Sequence, residues 1–164
     1  MLEKSNEFKH DAIKVIKYLK KAEKYDRFGH LPTFLKAGDL FNEGKFKQAI
    51  KLYNLILQGN KTSTRALIEL GICYENICEI RKAIECYNSV LEINPKSDSA
   101  LNNKGIALSN LGNHKEAIDC FDRILQLNPS DKIALDNKEK ALKRHHLSEF
   151  SDIYPLLKKR ASKR

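Results

Sequence analysis

The residues best equipped for chemistry are four cysteines, Cys73, Cys78, Cys86 and Cys120, and five histidines, His10, His30, His114, His145 and His146. Thiolates and imidazoles hold zinc when they come in closely spaced pairs. No CxxC occurs here, and no histidine stands at ligand spacing from a cysteine. We therefore expect no metal site, and read the cysteines as small buried apolar residues of a reduced, cytoplasmic protein. Phosphate-cradling and nucleophile motifs are missing too: there is no G-x-G-x-x-G, no Walker-type glycine loop, no G-x-S-x-G and no H-E-x-x-H. Seven glycines leave little for such a loop. Glu75, Glu79 and Glu85 read as exposed helix positions. The expectation is a protein that is not an enzyme and takes no cofactor.

The other chemical resource is charge. The 164 residues hold 30 Lys and Arg against 21 Asp and Glu, a formal net charge of +9. Both ends are basic and the middle is mildly acidic. Five of the last seven residues, Lys158 to Arg164, are Lys or Arg. Such a run can neutralise phosphates or meet an anionic surface, or it can simply solubilise a tail. No aromatic residue interleaves it, so base stacking is not suggested. Both readings stay open at this point. The start, MLEKSNEFKH, lacks the apolar stretch of a secretory signal, and no run approaches the roughly 20 apolar residues of a membrane span. With 41% hydrophobic residues but only 7 Gly and 4 Pro, the chain suits neither disorder nor an all-β fold. Its length fits one domain.

What positions these side chains is a repeat. Lys47-Gln-Ala-Ile-Lys-Leu-Tyr53, Arg81-Lys-Ala-Ile-Glu-Cys-Tyr87 and Lys115-Glu-Ala-Ile-Asp-Cys-Phe121 recur at a 34-residue step. Gly71 with Gly105, Asn94-Pro95 with Asn128-Pro129, and Ala66-Leu67 with Ala100-Leu101 keep the same step. Gly44 and Gly112 bracket Cys78, which takes their place in the middle unit. Within that unit Ala83, Ile84, Tyr87, Val90 and Leu91 step by three and four, a helical stripe. A short break around Glu79 precedes it, and Pro95 stops it. Each unit is thus a helix, a tight turn, a second helix and a short loop.

This pattern resembles the tetratricopeptide repeat family. Unit 64–97 carries Leu70-Gly71, Tyr74, Ala83, Tyr87 and Pro95. Unit 98–131 carries Gly105, Leu108, Ala117, Phe121 and Pro129. Unit 30–63 carries Ala37, Leu40, Ala49 and Tyr53, but has Lys61 where the proline belongs. The family's first-helix tryptophan is Thr33, Leu67 and Leu101 here. The resemblance implies an all-α fold, a right-handed solenoid of stacked helix-turn-helix units. Small residues belong at the crossings, with Ala37, Gly71 and Gly105 at one and Ala49, Ala83 and Ala117 at another. Tyr53, Tyr87 and Phe121 then supply bulk between hairpins.

The same resemblance implies a protein-binding function, with an extended peptide or partner helix held in a concave groove lined by the first helix of each unit. The matching positions include Phe34, then Ile68, Glu69, Ile72 and Asn76, then Asn102, Asn103, Ile106, Ser109 and Asn110, and finally Ile133, Asp136, Asn137 and Lys140. Asparagine has both a donor and an acceptor on a short stem, so Asn103 and Asn137, one period apart, could pair with a peptide backbone as two rungs. They could equally be ordinary solvated positions. The family's carboxylate clamp of Lys, Asn and Arg is not reproduced. Its positions hold Ile68, Ile72, Asn103, Ile133 and Asn137 in one register, and Phe34, Gly38, Glu69, Ser99 and Asn103 in the other.

Both ends look like caps. Residues 1–29 form one amphipathic seam, Phe8, Ala12, Val15, Leu19 and Ala22, expected to pack beside Phe34 and Leu40 or, as an alternative, to form a homodimeric coiled coil. Residues 132–146 read as a capping helix. In the tail, 147–164, Leu147, Phe150, Ile153, Tyr154 and Leu157 make a second apolar face. Pro155 is expected to prevent a straight helix through 147–157, and the segment is expected to be ordered against the cap near Leu135 and Leu142 or, as an alternative, in a neighbouring molecule's groove.

Overall fold

In the computed structural model the backbone is described for residues 31–161 and the side chains for 31–148. The expected amphipathic seam of 1–29 lies outside the described residues. Every regular element among the described residues is a helix: α1 Leu31–Asn42, α2 Phe46–Gly59, α3 Thr64–Asn76, α4 Ile80–Ile93, α5 Asp98–Asn110, α6 His114–Leu127 and α7 Lys132–Ala161. None of them is long and apolar enough to cross a membrane. The chain divides into two compact units, Met1–Lys61 and Thr62–Arg164.

The first unit contains the α1–α2 hairpin. Ala37 and Ala49 are fully buried, and Tyr53 and Ile56 nearly so. The Phe34 ring stands edge-on to Tyr53 with centroids 5.5 Å apart. Phe41 and Phe46 make a similar contact across the turn at 5.4 Å.

The second unit stacks α3 to α7, each helix packed on the next, with α3 also meeting α5 and α5 also meeting α7. Ala83, Tyr87 and Ala117 are completely buried, and Phe121 is 1% exposed. Gly71 faces the Tyr87 ring and Gly105 the Phe121 ring, so closely that a β-carbon on either glycine would fall 2.5 Å or 2.6 Å from ring carbons. Pro95 and Pro129 lie in exposed loops just past the ends of α4 and α6, where their missing N–H costs nothing.

Each hairpin turns by the same device. The Lys45, Glu79 and Asn113 amides donate to the carbonyls of Leu40, Tyr74 and Leu108, five residues back, at 2.8–2.9 Å. The Gly44, Cys78 and Gly112 amides donate three residues back, to Phe41, Glu75 and Ser109. These are Schellman closures, whose penultimate residue must adopt positive φ. Gly44 has φ 74°, Gly112 has 86°, and Cys78 carries 62° despite its side chain. The helices after the loops start alike as well. Ser63 and Ser97 Oγ accept from the amides of Ala66 and Ala100 at 3.4 Å, and Asp131 Oδ1 accepts from Ala134 at 2.9 Å. These N-caps also recur at 34-residue steps.

Two expectations are corrected. Cys78 is exposed, unlike the buried Cys73, Cys86 and Cys120, because it occupies a turn and not a helix face. Helix α7 does not end at His146; it runs unbroken from Lys132 to Ala161, through Pro155. Proline removes only one amide, the partner of the Ser151 carbonyl, at about 3 kcal/mol in a helix interior. Propagation from the packed first turns of the helix carries it past that loss. Being part of the same helix, 147–157 cannot double back on Leu135 and Leu142, and Leu147 is 70% exposed.

Candidate functional site

The first helices of the second unit, α3, α5 and α7, lie side by side and present the positions expected to line a groove. Ile68, Glu69, Ile72, Asn102, Asn103, Ile106 and Asn137 are half-buried, whereas Asn76 and Asn110 are exposed. Phe34 belongs to the first unit, where its ring is engaged with Tyr53.

The asparagines are not independent rungs. Asn137 Nδ2 donates to Asn102 Oδ1 at 2.9 Å, and Asn102 Nδ2 donates to Asn103 Oδ1 at 3.4 Å. Asn102, absent from the expected pair, is the node linking α5 to α7. Asn76 turns its amide onto its own helix, donating to the Ile72 carbonyl at 2.9 Å. Asn110 Oδ1 accepts from Arg144 Nη1 at 3.3 Å, and the same nitrogen lies 3.3 Å from Ser109 Oγ.

Two open cavities flank the Asn102–Asn137 bond along the α5–α7 seam. One, of about 180 Å³, is lined by Asp98, Ser99, Asn102, Asp131, Ile133 and Ala134 over Ile124. The other, of about 210 Å³, is lined by Ile106, Ser109, Asn110, Asn137, Lys140 and Arg144 over Phe121. Acids border the first, bases the second. His114 lies close to the basic end, with Nδ1 3.5 Å from Ser109 Oγ. Burial, then the Arg144 and His145 charges, hold its imidazole below the ordinary range.

On α3 one acid behaves differently from its sequence reading. Glu75 is half-buried, and Tyr87 Oη donates to its Oε1 at 2.6 Å. Burial raises the Glu75 carboxyl, and the Tyr87 bond offsets only part of that. Burial likewise pushes the Tyr87 phenol up, so it stays a donor. Glu79 is half-buried and pairs with Lys82 at 2.5 Å, while Glu85 is exposed. Tyr87 and Glu75 are 12 residues apart on different helices. The 34-residue register marks Tyr87 as packing bulk, yet Phe121 fills the matching position without a hydroxyl, so the register carries no signal for this bond.

The three buried thiols offer no nucleophile. Burial pushes Cys73 and Cys86 to about 11, and raises Cys120 as well. They are protonated at neutral pH. Among the described residues no three of His, Cys, Asp and Glu cluster as metal ligands would.

Residues 64–97 and 99–131 match the family model "Tetratricopeptide repeat". Fold and matched repeats together define the class of this part of the chain: residues 64–97 and 99–131 form tetratricopeptide repeats (TPRs). No curated protein matches it by sequence. Among solved structures, the first TPR domain of human RPAP3 superposes with a TM-score of 0.69 at 21% identity, over 74% of this chain and 96% of that one. The second TPR domain of human RPAP3, in complex with the HSP70 peptide SGPTIEEVD, gives 0.63 at 21% identity, over 69% and 98%. The Yersinia enterocolitica type III secretion chaperone SycD, in complex with a peptide of the translocator YopD, gives 0.61 at 15% identity, over 74% and 92%.

Proposed function

We propose that this protein is an adaptor or assembly scaffold that binds an extended peptide, or a partner helix, along the first-helix face of its second unit. The observation that carries the reading is the α5–α7 seam. It has two cavities on either side of an amide cluster, with Ile106 and Ile133 as apolar lining and Asn102, Asn103 and Asn137 as donors and acceptors. Amides of this kind can exchange their mutual bonds for bonds to a peptide backbone at little net cost, since each hydrogen bond contributes only about 1 kcal/mol net. Ile68 and Ile72 on α3 extend the apolar surface. The two peptide complexes of the same fold support the reading by likeness of architecture.

The competing reading, nucleic-acid or anionic-surface binding, rests on the basic ends. Its N-terminal half lies outside the described residues, and so does its last stretch, 162–164. The test is capture of partners from nuclease-treated lysate by the full chain and by the Asn102→Ala/Asn137→Ala variant. Protein partners that survive nuclease and are lost with the double variant support the groove. Partners that vanish on nuclease treatment and ignore the double variant contradict it.

A further inference from the structure

We propose that the cavity at the basic end of the α5–α7 seam is a carboxylate site, in which Lys140 and Arg144 receive an acidic side chain of the bound peptide. The proposal deepens the peptide-binding reading and rests on it.

Register gives the first argument. Arg144 stands one period after Asn110 and two after Asn76; Lys140 stands one after Ile106 and two after Ile72. Positions that are amide or aliphatic in both matched repeats become cationic in the last helix, and both change in the same sense. A capping helix needs polar residues on its outer face. Lys140 and Arg144 are on the other side, lining a cavity shared with α5. The outer demand is met elsewhere, by the exposed Lys143–Glu139 pair.

Pairing gives the second. On the same helix Lys138 is bound to Asp122 and Lys143 to Glu139. Neither Lys140 nor Arg144 forms an ion pair among the described residues, and no carboxylate lines their cavity. The acids of the seam, Asp98 and Asp131, lie beyond the Asn102–Asn137 bond. Two cations bordering one hollow leave positive charge there that an entering anion would balance. Burial first, and the Arg144 charge after it, lower the imidazole of nearby His114.

Geometry gives the third. Arg144 Nη1 is steered by Ser109 Oγ and Asn110 Oδ1 at 3.3 Å, which holds the guanidinium at the cavity mouth. A guanidinium has five N–H donors, so those bonds leave others for the planar, two-pronged pairing that suits a carboxylate. The family's clamp positions in this helix are Ile133 and Asn137. Lys140 and Arg144 lie about one and two turns further along, so this site is separate from the clamp.

The experiment uses the full chain and fluorescein-labelled hexapeptides of alternating leucine with glutamate, glutamine, lysine or phosphoserine, read by anisotropy. Wild type is expected to bind the glutamate peptide about tenfold tighter than the glutamine peptide, the margin of one charge-assisted hydrogen bond. Arg144→Ala should erase that margin, and Lys140→Glu/Arg144→Glu should transfer it to the lysine peptide. Arg81→Ala/Lys115→Ala removes two exposed charges from second helices and should keep the margin. Equal binding of the glutamate and glutamine peptides overturns the carboxylate site while leaving the groove standing. Binding of neither removes both. Loss of the margin in Arg81→Ala/Lys115→Ala reassigns it to diffuse charge, and an Arg144-dependent preference for phosphoserine over glutamate reassigns the site to phosphate; either result overturns the proposal.

Discussion

Gly71 and Tyr87 are in direct opposition: a β-carbon at position 71 would lie 2.5 Å from Tyr87 Cε1 and 2.8 Å from Cζ. The ring has no room to retreat, being 0% exposed and tethered through its hydroxyl to Glu75. Gly105 and Phe121 repeat the opposition one period later. In each repeat the glycine lets the backbone of the first helix approach the aromatic of the second. Gly71→Ala gains about 1 kcal/mol in helix propensity but overpacks the crossing, typically at about 1–3 kcal/mol. The overpacking should win, lowering the urea midpoint. A raised midpoint would mean that the helices separate freely.

Cys78 sits where the other turns have glycine. An L-residue in the left-handed region costs about 1–2 kcal/mol, whereas glycine adds about 0.5–1 kcal/mol of unfolded-state entropy. Cys78→Gly is therefore expected to raise stability by up to about 1.5 kcal/mol. Thermal unfolding of the two proteins under reducing conditions decides it. A lower melting temperature for the variant would show that the Cys78 side chain makes a contact worth more than the strain.

The recurring N-caps make a graded set. Ser97→Ala removes the side-chain acceptor of the Ala100 amide at the start of α5 and should cost about 1 kcal/mol. Asp131→Ala should cost at least as much, because its carboxylate makes the shorter bond and also faces the positive end of α7. Denaturant melts of both variants check the order, and no loss in either would contradict the capping role.

Glu75 fixes a pH dependence with a definite sign. Its folded-state pKa lies above the ordinary 4.5, chiefly through burial. The folded protein thus binds this proton more tightly than the unfolded chain. The stability linked to Glu75 is full below about pH 4.5 and falls as pH rises through the folded value. Glu75→Gln does not titrate and still offers Tyr87 an acceptor. The variant should match wild type near pH 4 and equal or exceed it at pH 7. Greater wild-type stability at pH 7 would show that the Tyr87 bond outweighs burial.

The parts of this molecule legible in the sequence are those that repeat. Ala83 and Ala117, the glycines at 71 and 105, and the prolines at 95 and 129 recur because each unit solves the same packing problem, so one unit interprets the next. Contacts that break the repeat were not legible. The Tyr87–Glu75 bond needs a hydroxyl that Phe121 lacks. The Asn102–Asn137 bond joins residues 35 apart, one more than the period, so aligning equivalent positions does not pair them. Asn76 follows the register yet binds its own helix, donating to the Ile72 carbonyl four residues back. Local rules misjudged Pro155 because a proline's cost is set against the whole helix around it.

The claim that the first-helix face is the binding face is tested most directly by placing a photo-crosslinking amino acid at Asn110, exposed on α5, and separately at Glu85, exposed on α4. Both proteins are irradiated in nuclease-treated extract. Discrete protein adducts from position 110 and none from position 85 are the expected result. Adducts from position 85 alone, or from neither position while the wild-type chain still captures partners, would contradict the account.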